Sequence, residues 1–219
     1  MISECVNNEV FLTGTIDSEL TYSHEVYGEG FYSFFIKIYR LSNMSDRVNV
    51  TVSERLIKEM SLELGMEISV SGQFRSYNNY SGEGNRLVLT VFARDIYISD
   101  LDEDKNPNQI YLNGFICKPP VYRTTPFGRE ITDILLAVNR AYNKSDYIPC
   151  IAWGRNARFA STLEVGDNIK IHGRIQSREY QKKISETETI TKTAYEISVS
   201  KMEVVDRSDT DEKDEADEF

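Results

Sequence analysis

Only two histidines, three cysteines and one tryptophan occur in the 219 residues. His24 and His172 each lack a neighbouring histidine or cysteine at ligand spacing, so the pattern offers no metal site. Cys5, Cys117 and Cys150 are odd in number, widely separated and free of CxxC spacing. That distribution fits reduced thiols in the cytoplasm better than a disulfide scaffold. No apolar run approaches the ~20 residues of a membrane-spanning helix. The N-terminal MISECVNNEV has no basic segment leading into an apolar one, so no secretion signal is expected. There is no phosphate-cradling glycine loop, no HExxH and no supported Ser-His-Asp set. These absences leave an enzyme reading weak.

Basic charge is also scarce in total. The net charge of −10 argues at first sight against a nucleic-acid partner. Its distribution reverses that argument for part of the chain. Residues 206–219 hold eight acidic and two basic residues, whereas residues 109–205 hold ten acidic and fourteen basic ones. Residues 9–98 are mildly acidic, with twelve acids and eight bases. One section is basic, and the acid collects in the first half, in the segment SDLDEDKNPN and at the C-terminal end.

What the chain does have is an internal repeat. Shifted by 100 residues, NEVFLTGTI (8–16) falls on NQIYLNGFI (108–116). Tyr22 then meets Tyr122, Gly28 meets Gly128, Arg40 meets Arg140 and Asp46 meets Asp146. With one further inserted residue, LELGMEISVSG (62–72) meets LEVGDNIKIHG (163–173). The pattern reads as two copies of one domain, 8–99 and 108–206, with a hydrophilic linker at 100–107 and an acidic, disordered tail at 207–219.

Each copy is rich in alternating, β-prone segments. In order they are VFLTGTI or IYLNGFI, a turn around Gly28 or Gly128, FYSFFIKIYR or EITDILLAVNR, and VNVTVS or YIPCIAW. A short helix follows, then EISVSGQF or NIKIHGRI and a last strand. Five strands with a helix between the third and fourth suit a Greek-key barrel of the OB type. The expected fold is all-β: two tandem five-stranded OB barrels, each with a short helix. Leu56, Ile57, Met60, Leu62 and Leu64 would form the first helix region's apolar underside, and Phe159, Leu163 and Val165 the second's.

The second copy resembles the bacterial single-stranded DNA-binding proteins along nearly its whole length. The pieces that carry the likeness are NGFICKPPVYRTTPFGREITDILLAVNR, IPCIAWGR and VGDNIKIHGRIQSREY. Within them, Gly114, Pro119, Thr125, Pro126 and Gly128 stand at the family's spacing, as does the pairing of LAVNR with AWG. The first copy keeps the spacing but few of the residues. The resemblance implies a cytoplasmic, nucleoid-associated protein that coats and protects single-stranded DNA in replication, recombination and repair. It implies a non-enzymatic protein that needs no cofactor, and four OB barrels per working unit, which a two-barrel chain reaches as a homodimer.

Single-stranded nucleic acid is gripped by aromatic stacking and a basic groove. The resemblance puts Tyr142, Tyr147, Trp153 and Tyr180 where the family's stacking aromatics sit. Alternation along SDYIPCIAWGRN independently turns Tyr147 and Trp153 away from the Ile148, Cys150 and Ala152 face. Each also has a plainer reading: Trp153 under the helix, Tyr142 as a solvated loop residue, Tyr147 and Tyr180 at a subunit contact. The basic candidates are Arg123, Arg129, Arg140, Arg155, Arg174, Arg178 and Lys182, with Arg158 and Lys183 beside them. Residues 175–192 read as a long hairpin arm.

The first copy departs from this platform. Ser42, Arg47 and Ser53 replace Tyr142, Tyr147 and Trp153, and Glu54 stands where Gly154 does. The expectation is that this copy serves architecture or binds DNA weakly. In FYSFF, aromatics on both faces imply a buried strand or a subunit contact. The tail ends in Asp217, Glu218 and Phe219. In the family, an acidic tip ending in Pro-Phe docks on replication and repair partners, so these three residues are candidate partner contacts. The Ile-Pro or Leu-Pro context is missing. A different class of reading remains open: an OB scaffold of a primosome-like or phage assembly, whose aromatics face protein.

Overall fold

The computed structural model describes residues 6–40, 42, 44–78, 87–98, 106–183 and 189–205. The linker residues 100–105, the tail 207–219 with Asp217, Glu218 and Phe219, and the arm tip 184–188 lie outside them.

The first half begins with β1 (Asn8–Ile16), β2 (Thr21–Val26), β3 (Glu29–Tyr39) and β4 (Ser45–Ser53). It continues through α1 (Glu54–Ile57), β5 (Glu67–Asn78) and β6 (Leu87–Ile98). The second half repeats this order as β7 (Asn108–Ile116), β8 (Val121–Thr124), β9 (Glu130–Arg140), β10 (Lys144–Trp153), α2 (Arg155–Ala160), β11 (Asn168–Lys183) and β12 (Thr189–Val204). In each half five strands close on themselves. β1 pairs with both β3 and β5, β3 with β4, β4 with β6 in parallel, and β6 with β5. β7, β9, β10, β12 and β11 repeat the ring. This is the expected Greek-key OB barrel, made twice.

Two features differ from the sequence expectation. A sixth strand, β2 or β8, lies outside each ring and pairs with β3 or β9 alone. Every residue of both is exposed, so no in-out alternation marks them. The helices are also shorter than their apolar residues suggested. Leu56, Ile57, Met60, Leu62 and Leu163 do pack against the core, but Leu64, Phe159 and Val165 are exposed. Ala157 and Ala160 supply the buried face of α2. Small side chains let that single turn lie close on the barrel, which hydrophobicity alone does not signal.

The barrel interiors are filled by the inward residues of the strands, among them Leu12, Phe34, Val50, Val70 and Phe74 in one and Leu112, Leu136, Ile148, Ile171 and Ile175 in the other. FYSFF is a largely buried strand: Phe34 is in the core, while Phe31 is covered by His24 and Phe92.

The barrels are joined edge to edge. β1 and β7 pair antiparallel with Val10 opposite Ile110, which makes one twelve-stranded sheet. Equivalent residues of the two copies face each other there, so the junction has approximate two-fold symmetry. That symmetry extends to two buried carboxylates, one from each barrel. Asp46 accepts from the backbone N–H of Ser177 at 2.8 Å and from Arg174 at 3.2 Å. Asp146 accepts from the backbone N–H of Ser76 at 2.7 Å and from Arg75 at 2.9 Å. Arg40 and Arg140 add a bond from each carboxylate's own barrel.

Candidate nucleic-acid interface

β10 carries apolar side chains inward and leaves Tyr147 and Trp153 outward, because its residues alternate between the barrel core and solvent. Trp153, at the end of the strand, is 36% exposed, so it does not lie under the helix. Gly154, at φ +54, turns the chain from there into α2. In the first copy Ser53 caps α1 directly, and Glu54 is already helical.

Trp153 forms part of the wall of an open groove of about 1080 Å³ that runs between the barrels. Ile131 and Ile151, both nearly buried, lie along its floor. Arg123, Arg129, Arg174 and Arg178 line it from the second barrel. Lys37, Arg40 and Arg47 line it from the first. Seven cationic side chains therefore face three carboxylates, Asp17, Glu179 and Glu196.

These cations are not equivalent. Arg129 is exposed and has no ion pair among the described residues. Arg123 holds Asp133 through two bonds of 2.7 and 3.1 Å, and that bond raises its already high pKa. Arg178 stands 3.8 Å from Glu196, a loose contact. Arg47 bonds Asp17 at 2.6 Å, and its guanidinium lies 3.9 Å from the centroid of Phe35. Arg174 is half buried between Asp46 and Arg40. Burial first, then the Arg40 charge, pushes its pKa down, against the pull of Asp46. It keeps its charge, since guanidinium groups do so throughout the physiological range.

At the platform's edge, Glu130 accepts from the Tyr122 hydroxyl at 2.6 Å and from Arg158 at 2.9 Å. The Tyr122 bond and then Arg158 hold the Glu130 carboxyl below its usual range. Arg158 is thereby anchored to the start of β9.

The expected site residues do not form one cluster. Trp153, Arg123, Arg129, Arg174 and Arg178 come together in the groove. Tyr142 projects from the β9–β10 turn at φ +60 and is 93% exposed. Tyr147 lies across the junction, its backbone N–H 2.7 Å from the Ser76 hydroxyl of the first barrel. Arg140 is turned onto Asp146. Arg155 opens α2 and is exposed. Tyr180 lies on the β11 arm and is partly exposed. Lys182 is also on β11, but its side chain is outside the described residues.

Lys37, Arg40 and Arg47 were missed in the sequence, where the first copy's departures read as loss. Arg47 at the place of Tyr147 was the visible signal. Among the described residues no three His, Cys, Asp or Glu side chains gather in a way that could hold a metal. No helix among them is long and apolar enough to cross a membrane.

Comparison with known proteins bears on this geometry. Residues 107–205 match the single-strand binding protein family. A single-stranded DNA-binding protein of Clostridium tetani is 37% identical over 83 residues, which are 35% of this chain and 57% of that protein. Single-stranded DNA-binding protein A of Bacillus subtilis is 35% identical over 81 residues, 34% of this chain and 47% of that protein. The chain thus spans about half the length of such relatives. The crystal structure of wild-type single-stranded DNA binding protein from Thermus aquaticus superposes with a TM-score of 0.72 at 21% identity. That match covers 91% of this chain and 93% of the other, and shows that the two-barrel fold is shared along nearly the whole length.

Proposed function

We propose, from a second barrel whose residues 107–205 match the single-strand binding protein family, that this chain binds and protects single-stranded DNA. The observation that carries the proposal is the groove at Trp153: a partly exposed indole in a groove also lined by Arg129, which has no ion pair among the described residues, with cations in excess over carboxylates. Such a site suits a ligand with flat apolar faces strung on a negative backbone. Stacking on an aromatic supplies about 1–3 kcal/mol per base, and phosphate contacts add a salt-dependent part.

In this reading 8–99 and 108–206 are the two domains, joined by 100–107. The chain works as a homodimer with four barrels, in replication, recombination and repair. Asp217, Glu218 and Phe219 of the acidic tail recruit protein partners. Tyr142 and Tyr180 extend the stacking surface, and Arg155 and Lys182 meet phosphates beyond the groove.

The test is a titration with oligo-dT at low and high salt, followed by Trp153 fluorescence. As the sole tryptophan, it reports one place. Strong quenching that weakens steeply with salt is expected. Absence of both quenching and binding would favour a scaffold role in which this face meets protein.

A further inference from the structure

The two barrels share one strand plan but fill the face beside Trp153 differently. In the first barrel that face is closed by rings. Phe31, opposite Ser53, lies 5.6 Å from Phe92, and His24 stacks on Phe31 at 4.9 Å. In the second barrel Ile131, opposite Trp153, takes the place of Phe31. Ser198 pairs with Ile151 where Phe92 pairs with Thr51, so Ser198 takes the place of Phe92. Two rings are thus exchanged for smaller side chains. Ile131, Ile151, Trp153 and Ser198 all line the open groove.

One exchange runs the other way. Ser177 stands opposite Tyr195, and its counterpart Ser76 stands opposite Leu89. Leu89 is buried and serves the core alone. Tyr195 also packs against the core, but it is only half buried and it lines the groove. Its hydroxyl makes no hydrogen bond among the described residues. A tyrosine hydroxyl withdrawn from water usually has a partner, so this one is a donor left over for a ligand. Burial pushes the Tyr195 pKa up, and the charge of nearby Arg47 pulls it down by less. The phenol therefore keeps its proton at physiological pH.

We infer that Tyr195 reads the edge of a base lodged beside Trp153, by donating a hydrogen bond to a carbonyl oxygen of that base. Thymine offers such oxygens and adenine has none. The positive charge of Arg47 favours an acceptor there and disfavours an amino group. The inference rests on the proposed DNA-binding function and gives that site a base preference. Stacking on Trp153 and contacts to phosphate tolerate any sequence, so the preference needs a group of this kind.

The test compares oligo-dT and oligo-dA affinities of the full chain, Y195F and S198F. Oligo-dA stacks on itself, but that bias belongs to the DNA and cancels when variants are compared. Y195F deletes only the hydroxyl. Its affinity for oligo-dT should fall about three- to tenfold, the worth of one net hydrogen bond, with oligo-dA affinity, salt slope and Tm at wild-type values. An unchanged ratio of the two affinities overturns the inference. So does a shallower salt slope, since the hydroxyl would then serve a phosphate. S198F restores the first barrel's ring and should weaken oligo-dT binding at least about tenfold by filling the place of the base. If S198F keeps its Tm and binds like wild type, no base lodges there and the inference fails. Y195F decides the matter whether or not S198F folds. If the wild-type chain binds neither oligonucleotide, the parent proposal itself fails, and the two failures are distinguishable.

Discussion

The carboxylate of Asp46 accepts a hydrogen bond from the backbone of Ser177, 131 residues away and in the other barrel, at 2.8 Å. Asp46 is fully buried and lies between two arginines, Arg40 from its own barrel and Arg174 from the neighbour. It fixes Arg174 on the groove wall and fixes the groove's two halves relative to each other. Asp146 repeats the arrangement with Ser76, Arg75 and Arg140. The two copies reach it by exchanged residues: Gln73 and Arg75 in one, Arg174 and Gln176 in the other, with the glutamine beside the arginine each time.

Removing either carboxylate should loosen the junction. A buried backbone N–H loses its acceptor, and two guanidinium groups are left facing each other. Asp46→Ala should cost about 2–4 kcal/mol, which lowers Tm by roughly 5–15 °C in a chain of this size. Asp146→Ala should behave alike. Calorimetry checks this, and a Tm shift under about 2 °C would mean the barrels are held by the β1–β7 pairing alone.

Trp153→Ala and Arg129→Ala should separate the two components of binding. The first removes a stacking partner and should weaken oligo-dT binding by about 1–3 kcal/mol with the salt slope intact. The second removes a phosphate contact and should reduce the slope of log K against log salt by about 0.7. Anisotropy of a labelled oligonucleotide at four salt concentrations reads both. Equal effects on affinity and slope from the two variants would contradict the division of roles.

Much of this was legible beforehand, for identifiable reasons. The repeat exposed two barrels because core positions such as Leu12 and Leu112 must recur with the strands that carry them. Trp153 was legible because alternation along β10 turned it away from Cys150 and Ala152. The barrel junction was not. Asp46 and Asp146 matched in the repeat, yet nothing local reveals that each completes its bonding in the other copy. The first barrel's share of the groove was hidden for the same reason. Lys37, Arg40 and Arg47 gain their meaning only when β1 and β7 pair. Tyr147 illustrates the converse: its outward direction was readable, but its neighbour, Ser76, belongs to the other repeat.

Gly14 and Gly114 mark where each ring closes. A Cβ on Gly14 would stand 2.5 Å from the carbonyl oxygen of Lys37, and one on Gly114 would stand 2.5 Å from that of Ala137. Both neighbours are backbone in the closing strands β3 and β9, so neither can swing aside. Ala at either position should force the strands apart at a cost of about 1–3 kcal/mol. Urea unfolding measures it. A midpoint matching wild type would show that the barrel closure tolerates a shift of β1 or β7.

The last prediction concerns Arg47, which decides whether the first barrel takes part in the groove. Its guanidinium is half exposed, bonded to Asp17 and stacked over Phe35. A strand lying against Trp153 would bring phosphate into the same groove, and phosphate competes with Asp17 for the cation. Exposed pairs of this kind contribute little to stability, so Arg47→Ala should leave Tm nearly unchanged. It should nevertheless lower the salt slope of oligo-dT binding by about 0.7, the signature of one lost phosphate contact on a single strand. Asp17→Asn should strengthen binding at low salt, because it releases Arg47 without removing it. Arg155→Ala, on the exposed start of α2, supplies a comparison outside the groove and should change the slope less. If Arg47→Ala leaves the slope at its wild-type value while Arg129→Ala lowers it, the strand follows the second barrel alone, and the cations of β3 and β4 serve only the junction.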